Sequence, residues 1–419
     1  MNQMPISLEC VVCAASYPWD VSDYRCTCPE RGLLQVKHRR VFNKADRDTM
    51  TARSSESGGI HASGVWRFHE AVLPLPEDLV VSHPEGHTRL YRRESLSQWC
   101  GVDDLSFKHE GENPTGSFKD RGMTVAVSVA KARSAKTIAC ASTGNTSAAL
   151  AAYAAQAGIP SVVFLPSGKI AMGKLSQAIA YGAQCLAVRG DFDAAMNLVE
   201  QSAHELGFYL VNSLNPYRLE GQKTIIWEML AQRQWNVPDW IVVPAGNLGN
   251  TSAFGKALEE ALAWGWIDKL PRIVSVQAAG ANPFFRSFQE QFSRFESVRA
   301  ETVATAIRIG NPVNYLKAVR VIEKTNGLVV QVTDEEILAA KRQIDRSGLG
   351  CEPASACTLA GIKTLRAQGD ICARESVVAV LTGNVLKDSE VIFSHPQSTS
   401  QLVCEIDPNL DAVRAATLS

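Results

Sequence analysis

From about Lys136 onward, short runs of apolar and β-branched residues alternate with longer Ala-rich or amphipathic stretches. Continuous apolar runs suit strands of a parallel sheet that is covered on both faces. Six runs are predicted as buried strands: TIACA (137–141), SVVFL (161–165), QCLAV (184–188), WIVVPA (240–245), RIVSVQ (272–277) and VVAVLT (377–382). Helices are expected at AALAAYAAQ (148–156), FDAAMNLVEQSAHEL (192–206) and ILAAKRQIDRS (337–347). Repeated βα units of this kind predict an α/β fold with parallel sheets flanked by helices.

The domain organisation is indicated by length and by local composition. A chain of 419 residues with 46% hydrophobic content is long enough for two lobes, each with its own core. Residues 1–50 are predicted to be a short Cys-rich N-terminal extension. The segment TARSSESGGIHASG (51–64) is rich in Ser and Gly, which favours a mobile linker or loop and a domain boundary.

The charge balance excludes some classes of partner. Lys and Arg number 42 against 43 Asp and Glu, so the net charge of −1 produces no field that attracts nucleic acid or an anionic membrane. The start MNQMPISLEC lacks the features of a signal peptide, and no stretch resembles a membrane span. We therefore expect a cytoplasmic protein with a small-molecule partner.

The segment ENPTGSFKDRG (112–122) contains the first chemical candidate, Lys119. A lysine that forms an imine must be partly deprotonated and held rigidly, and a tight Pro, Thr and Gly turn leading into a helix can achieve both. The preceding aromatic residue, Phe118, could pack beside a planar cofactor. An exposed lysine in a charged turn is the ordinary alternative, which the complete eleven-residue string disfavours.

The segment ASTGNTSAAL (141–150) lies where a predicted strand ends and a helix begins. Ser142, Thr143 and Thr146 offer hydroxyl groups, and Asn145 offers an amide. The unpaired N–H groups of a helix start favour a carboxylate at this place. An ordinary helix cap with a Gly turn is the alternative.

The segment PAGNLGNTSA (244–253) has the composition of a phosphate cradle. Gly246 and Gly249 allow the backbone to approach an anion, and Asn247, Asn250 and Thr251 can add donors. It lacks the lysine of a nucleotide P-loop and does not fit GxGxxG, so nucleotide binding is poorly supported. A plain turn between strand and helix is the alternative.

The segment LTGNVLKD (381–388) follows the last predicted strand. Open α/β sheets bind their ligands at the carboxyl ends of the strands, and Thr382 stands at such an end. Its hydroxyl group could donate to a ring nitrogen, and a turn that merely caps the strand is the alternative.

Taken together, these segments resemble the fold-type II pyridoxal phosphate enzymes, which include threonine synthase, threonine dehydratase and cysteine synthase. Within that group the match is closest to the threonine synthases. The similarity extends from about Val65 to Lys387 and also includes VWRFHEAVLP, VNSLNPYRLEGQKT, RIGNPVNY and CEPASA.

The resemblance implies pyridoxal 5'-phosphate as cofactor and a role for each motif residue. Lys119 resembles the Schiff-base lysine, Asn145 the partner of the cofactor's ring oxygen, and Thr382 the residue that hydrogen-bonds the pyridine nitrogen. The phosphate loop would comprise Gly246, Asn247, Leu248, Gly249 and Asn250. A large cofactor-binding lobe is expected at residues 65–122 and 217–400, with a small lobe at 123–216, and a homodimer is expected.

The resemblance also implies the substrate. In VNSLNPYRLEGQKT, Asn212, Ser213 and Arg218 stand where threonine synthases hold the phosphate of O-phosphohomoserine, while Ser142, Thr143 and Thr146 would hold its carboxylate. The implied reaction converts O-phosphohomoserine and water to threonine and phosphate by elimination and hydration.

Other functions stay open from the sequence alone. A cysteate synthase-like enzyme acting on O-phosphoserine, a threonine dehydratase or a catalytically inactive homologue would share most of these motifs. The segment PEGHTRLY departs from the family pattern at His87 and Arg89, which could alter the entrance to the site or simply lie exposed on a loop.

Four cysteines of the extension form two tight pairs, Cys10 with Cys13 and Cys26 with Cys28. They resemble the zinc-ribbon-like extension of some threonine synthases, although one residue instead of two separates the second pair. Two such pairs could form a tetrahedral thiolate site for structural zinc. A metal-free remnant is the alternative, and no metal is expected at the catalytic site.

Overall fold

The structure is a computed structural model that describes residues 4–167, 172–190, 192–393 and 405–417. Its strands are β1 (Ile6–Cys10), β2 (Ser16–Tyr17), β3 (Leu34–His38), β4 (Leu90–Tyr91), β5 (Asp104–His109), β6 (Ile138–Ala141), β7 (Ser161–Pro166), β8 (Gln184–Val188), β9 (Tyr209–Leu210), β10 (Trp240–Pro244), β11 (Arg272–Ala278), β12 (Leu328–Val332) and β13 (Ser376–Leu381). Among the described residues, no helix has both the length and the apolar character that crossing a membrane requires.

The helices alternate with these strands along most of the chain. They are α1 (Lys44–Ala52), α2 (His69–Val72), α3 (Glu94–Cys100), α4 (Lys119–Ala132), α5 (Asn145–Ala157), α6 (Met172–Ala180), α7 (Phe192–Glu205), α8 (Pro216–Gln222), α9 (Thr224–Gln232), α10 (Gly249–Ala263), α11 (Pro283–Gln289), α12 (Tyr315–Lys324), α13 (Asp334–Arg346), α14 (Pro353–Gln368), α15 (Glu390–Phe393) and α16 (Leu410–Thr417). Residues up to Lys387 form one compact unit, and the residues after it form a second, smaller unit that contains α15 and α16.

The larger sheet has six strands in the order β12-β11-β10-β13-β5-β4. All neighbouring pairs are parallel except β4 with β5, which is antiparallel. The predicted strands at 240–245, 272–277 and 377–382 are confirmed here as β10, β11 and β13. Because β10 and β13 are parallel neighbours, the loops that follow them start from the same edge of the sheet.

The smaller sheet contains the other three predicted strands and is parallel throughout, in the order β8-β7-β6-β9. Strand β8 was expected to be buried, and this expectation is wrong. Its residues are exposed or half-buried because it forms the edge of the sheet, with a neighbour on one side only. All four strands fall within residues 123–216, whereas the division of the chain into two lobes stays a prediction.

The three predicted helices are confirmed as α5, α7 and α13. Helix α13 begins with a capping box between Thr333 and Glu336, which fixes its start. The segment 51–64, expected to be a mobile linker or loop, contains two short 3-10 helices and ends in the buried residues Ser63 and Gly64. The backbone N–H of Gly64 donates to the carbonyl of Glu85 at 2.7 Å, so this end of the segment is packed.

The N-terminal extension forms an antiparallel sheet, β2-β1-β3, which contacts helices of the main unit. His38 on β3 lies 2.9 Å from a carboxylate oxygen of Glu220 on α8. Lys256 on α10 donates to the carbonyl of Val36 at 2.7 Å, and Lys317 on α12 donates to that of Leu34 at 3.1 Å. Strand β3 is therefore tied to α8, the helix that carries Arg218.

Candidate active site

The turn before Lys119 is built by the local sequence. Gly116 has a φ of +84°, a left-handed conformation that glycine adopts without strain, and its N–H donates to the carbonyl of Asn113 at 2.7 Å. The carboxylate of Asp120 accepts hydrogen bonds from the backbone N–H and the hydroxyl of Thr115 at 2.7 and 2.5 Å. The turn is closed by these bonds, and α4 begins at Lys119.

Backbone hydrogen bonds join this turn to the segment after β13. The N–H of Phe118 donates to the carbonyl of Thr382 at 3.0 Å, and the N–H of Asn384 donates to the carbonyl of Gly116 at 2.9 Å. Two motifs separated by more than 250 residues are thus held side by side, and Lys119 starts its helix beside Thr382.

Helix α4 is also anchored by buried ion pairs. Arg121 binds both carboxylate oxygens of Glu110 at 2.7 and 2.8 Å and one oxygen of Glu228 at 2.7 Å. Lys108 on β5 binds the same oxygen of Glu228 at 2.6 Å. Burial alone would raise the pKa of Glu228, but Arg121 and Lys108 outweigh it and hold this pKa well below its usual range. The charged network keeps α4 fixed against β5 and α9.

Helix α8 packs closely on α4 because small residues face each other. A Cβ on Gly221 would overlap the carbonyl of Arg121, and a Cβ on Gly122 would lie 3.0 Å from the carbonyl oxygen of Arg218. Only glycine permits this approach of two helix backbones. The contact sets Arg218 beside the first turn of α4.

The guanidinium group of Arg218 is buried and only partly satisfied. Its Nη1 donates to the carbonyl of Val211 at 3.0 Å, whereas its Nε has no hydrogen-bond partner in the part of the chain that the structure describes. Burial lowers the pKa of Arg218 to about 10, so the group stays charged at neutral pH. A buried cation with an unused donor is suited to an anionic ligand.

Lys119 has the properties of a reactive amine. Its Nζ lies 4.1 Å from the centre of the Phe118 ring, and no hydrogen bond or ion pair to it is formed by the residues described. Burial, followed by the charge of Arg218, lowers the pKa of Lys119 to about 7, while Glu352 acts in the opposite direction. A large fraction of the side chain is therefore an uncharged nucleophile near neutral pH.

Asn145 and Thr382 lie in separate motifs, but both donate hydrogen bonds to Glu352, a residue that was not predicted from the sequence. The amide Nδ2 of Asn145 donates to Oε2 of Glu352 at 2.8 Å, and the hydroxyl of Thr382 donates to its Oε1 at 2.9 Å. Glu352 belongs to CEPASA, a string counted only as part of the resemblance. The sequence signal that could have indicated Glu352 was a carboxylate residue directly before a proline, at a helix start.

The residues 142–146 form a half-exposed row between the buried strand β6 and the buried body of α5. No side chain caps the start of α5, so its first N–H groups remain available. The hydroxyl of Ser142 accepts a hydrogen bond from the N–H of Gly144 at 3.2 Å. Ser142, Thr143 and Thr146 therefore line an accessible helix start that can accept a carboxylate.

The loop Gly246 to Asn250 precedes α10 and has the shape of an anion cradle. Leu248 has a φ of +60°, and no side chain caps the start of α10, so successive N–H groups stay free of a side-chain acceptor. The backbone of Ile307 lies so near that a Cβ on Gly246 would be 3.0 Å from its Cα. A phosphate group fits such a backbone cradle without any lysine.

Asn314 connects this cradle with the predicted substrate segment. Its amide donates to the carbonyls of Asn247 and Ser213 at 3.2 and 3.3 Å. The side-chain amide of Asn212, which was predicted to bind the substrate phosphate, binds the backbone of Ala141 on both sides. Its Oδ1 accepts from the N–H of Ala141 at 2.9 Å, and its Nδ2 donates to the carbonyl of Ala141 at 3.0 Å. One N–H of Asn212 is left for a ligand.

His87 and Arg89 both lie exposed. Arg89 lines an open surface depression of about 620 Å³ together with Arg92 and Arg233. The lining of this depression includes neither Lys119 nor Arg218. The two residues that depart from the family pattern, His87 and Arg89, therefore lie on the protein surface.

The four cysteines of the extension converge. Their sulfur atoms all lie within 4.8 Å of one another, with 3.5 Å between Cys13 and Cys26 and 4.0 Å between Cys10 and Cys28. Backbone N–H groups of Val12 and Cys28 point at the sulfurs of Cys10 and Cys26 at 3.4 and 3.3 Å. The cluster is compatible with a four-coordinate metal site.

Comparisons with known proteins show which sequences this chain resembles. A family model described as pyridoxal-phosphate dependent enzyme matches residues 81–383. Threonine synthase of Methanocaldococcus jannaschii is 42% identical over 403 residues, which cover 95% of this chain and 97% of that protein. Threonine synthase of Methanosarcina acetivorans is 44% identical, with 98% of each chain covered.

Solved structures share the fold. The crystal structure of threonine synthase from Escherichia coli superposes with a TM-score of 0.68, at 20% identity, over 93% of this chain and 90% of that one. Threonine deaminase isoform 2 from Solanum lycopersicum superposes with a TM-score of 0.64, at 19% identity, over 85% and 91%. The architecture is that of the fold-type II enzymes, as the sequence predicted.

Proposed function

The chain belongs to the pyridoxal-phosphate dependent enzymes and, within them, to the threonine synthases, and we propose that Lys119, Arg218 and the residues around them perform its reaction. The reaction converts O-phosphohomoserine and water to threonine and phosphate. The observation that carries the assignment of residues is the position of Lys119, an amine with a pKa of about 7, beside the buried guanidinium of Arg218.

The residues present fit the cofactor. The loop Gly246 to Asn250 offers an uncapped helix start for its phosphate, Lys119 offers the amine that binds its aldehyde, and Phe118 offers an aromatic face. Asn145 would face the oxygen attached to the cofactor's ring, and Thr382 would face the ring nitrogen. When bound, pyridoxal phosphate supplies an electron sink that stabilises negative charge on the substrate.

Two anion-binding places flank Lys119 and select the substrate. Arg218, with Ser213 and the remaining N–H of Asn212, would hold the phosphate of O-phosphohomoserine through charge-assisted hydrogen bonds. The helix start at Ser142, Thr143 and Thr146 would hold the carboxylate. A substrate with an anion at each end is therefore oriented with its Cα toward Lys119.

The proton movements fall to Lys119. As a free amine, its Nζ removes one proton from Cα and one from Cβ. The bond between Cγ and the phosphate oxygen breaks, and phosphate leaves with its bridging oxygen. One proton each returns to Cγ and Cα, while the hydroxyl of water adds at Cβ and the remaining proton of water goes to the phosphate. Arg218 stabilises the charge on the departing phosphate.

An assay of substrate preference tests this function. We expect purified enzyme with bound cofactor to release threonine and phosphate in equal amounts from O-phosphohomoserine. O-Phosphoserine and threonine serve as comparison substrates at equal concentration. A higher kcat/KM with O-phosphoserine would favour the cysteate synthase-like alternative, and ammonia release from threonine would favour a dehydratase.

We infer that Cys10, Cys13, Cys26 and Cys28 bind a structural zinc ion, because the four thiols converge and backbone N–H groups support two of the sulfurs. Protein prepared without a metal-affinity tag should contain one zinc per chain by elemental analysis. Replacing Cys13 and Cys26 with serine should remove it, whereas replacing the distant, exposed Cys372 should not. Wild-type protein with far less than one zinc per chain would leave the cluster as a metal-free remnant.

The homodimer and the cytoplasmic location inferred from the sequence stay predictions. Sedimentation analysis of the purified enzyme tests the first of them.

A further inference from the structure

Helix α8, which carries Arg218, lies between α4 and the N-terminal extension. All seven of its residues are buried. No ion pair with the residues that the structure describes compensates the charge of Arg218, and burial is the main influence on its pKa. Burying an uncompensated charge costs free energy, so the helix that carries it must be held in place by its other contacts.

The first turn of α8 is held by a loop of the extension. The hydroxyl of Tyr217, the residue next to Arg218, donates to the carbonyl of Trp19. The ring of Tyr24 packs edge-on against that of Tyr217, with 6.4 Å between the ring centres. The hydroxyl of Tyr24 also accepts from the amide of Asn215, the residue that caps α8, at 3.3 Å.

The same loop is closed at its base by the cysteine cluster. Trp19 and Tyr24 both lie between Cys13 and Cys26, whose sulfur atoms are 3.5 Å apart. The backbone N–H of Leu34 on β3 donates to the carbonyl of Tyr24 at 2.9 Å. The convergence of the cysteines therefore fixes the loop that contacts α8.

The last turn of α8 is held by His38 on β3. Beside this histidine, the ammonium group of Lys223 has three protons to donate. They go to the carbonyl of Ala71 at 2.9 Å and to the carboxylates of Glu220 and Glu260 at 2.5 and 2.9 Å. No proton of Lys223 is left for Nε2 of His38, although the two nitrogens are 3.2 Å apart. Nε2 of His38 therefore carries its own proton and donates it to Glu220 at 2.9 Å.

We propose that the N-terminal extension positions Arg218 for the phosphate of the substrate, with Tyr217 and His38 as the positioning residues. The proposal rests on the proposed function, because Arg218 must hold that phosphate. In the described part of the chain, the side-chain hydrogen bonds of Tyr217 and His38 involve neither the row 142–146 nor the loop Gly246 to Asn250. Loss of either contact should therefore weaken phosphate binding and leave the binding of carboxylate and cofactor unchanged.

The test compares inhibition of the holoenzyme by its two products. Tyr217→Phe and His38→Leu each remove one hydrogen bond between the extension and α8. We expect each variant to raise the inhibition constant of inorganic phosphate roughly threefold to tenfold, the effect of losing one hydrogen bond. The inhibition constant of threonine, which carries no phosphate, should not change. The visible absorption band of the bound cofactor shows that each variant is folded.

Two control variants separate positioning from a general disturbance. His38→Gln keeps a nitrogen that can donate to Glu220 and should retain the wild-type inhibition constants. Arg47 on α1 donates to the carbonyl of Trp266 at 3.0 Å, which joins the extension to the main unit away from α8. Arg47→Met removes this contact and should also leave both constants unchanged.

A double variant shows whether the effect passes through Arg218. In Arg218→Ala, the group to be positioned is absent. Adding Tyr217→Phe to this variant should therefore weaken phosphate inhibition no further. A general loosening of the site would instead add its own loss to that of Arg218→Ala.

The possible outcomes are distinguishable. An unchanged phosphate constant in Tyr217→Phe and His38→Leu overturns the proposal and leaves the proposed function intact, as does an equal weakening of phosphate and threonine. The two variants act at opposite ends of α8, so the one that keeps the cofactor band decides if the other does not fold. Failure of wild type to release threonine from O-phosphohomoserine overturns the proposed function itself.

Discussion

Replacing Lys119 with alanine is expected to remove both the visible absorption band of the lysine-bound cofactor and the activity. The side chain is the amine with a pKa of about 7 beside Phe118, and it would provide the covalent attachment and the base. Loss of both functions should lower kcat/KM for O-phosphohomoserine by on the order of 10³-fold or more. The spectrum is recorded after incubation with pyridoxal phosphate and removal of unbound cofactor.

A second buried lysine provides a matched control. Burial also lowers the pKa of Lys317 to about 7, but its Nζ donates to the carbonyl of Leu34 under the N-terminal sheet. Lys317→Met should therefore retain the absorption band. If Lys119→Ala kept the band after gel filtration, or if Lys317→Met lost it while remaining folded, the cofactor lysine would be misassigned.

Replacing Arg218 with alanine is expected to leave the cofactor bound but to weaken the use of O-phosphohomoserine. The cofactor phosphate has its own cradle at Gly246 to Asn250, whereas Arg218 has an unused Nε in a buried place. Losing a charge-assisted contact should cost about 1.5 to 3 kcal/mol, which corresponds to roughly a tenfold to hundredfold lower kcat/KM. Steady-state kinetics with varied O-phosphohomoserine measure this loss.

Two further measurements accompany the Arg218 variant. Arg218→Lys should restore activity only in part, because an ammonium group cannot reproduce the planar fork of a guanidinium. Since the charge of Arg218 lowers the pKa of Lys119, the alanine variant should capture pyridoxal phosphate with a pH profile displaced to higher pH. Unchanged kinetics and an unchanged profile would place the substrate phosphate elsewhere.

The sequence predicted those strands whose residues are mostly apolar, and it missed an internal strand that is not. β10 is a continuous apolar run, β13 is one after Ser376, and β11 is interrupted by Ser275 and Gln277; the positions of all three were predicted within one or two residues. β5 lies beside β13 in the same sheet but carries Lys108 and Ser106, so its pattern is broken. Lys108 can be buried only because Glu228, from α9, neutralises it. A local sequence pattern cannot indicate a partner that lies 120 residues away along the chain.

The candidate site was predictable where one motif contains the chemistry, as at Lys119 and at the loop from Gly246. It was not predictable where side chains from distant motifs share protons. Glu352 and Ser355 join Asn145 to Thr382 through hydrogen bonds that exist only after β13 and α14 have packed. For the same reason the sequence gave no sign that the hydroxyl of Thr382 donates to Glu352, and the role of Thr382 toward the ring nitrogen stays a prediction.

The central claim is that the enzyme breaks the bond between carbon and the phosphate oxygen and then adds water to the carbon chain. Turnover of O-phosphohomoserine in water enriched in ¹⁸O, followed by mass spectrometry of both products, tests this claim most directly. We predict ¹⁸O in the hydroxyl group of threonine and none in the phosphate released. Labelled phosphate together with unlabelled homoserine would show hydrolysis at phosphorus and would contradict the assignment.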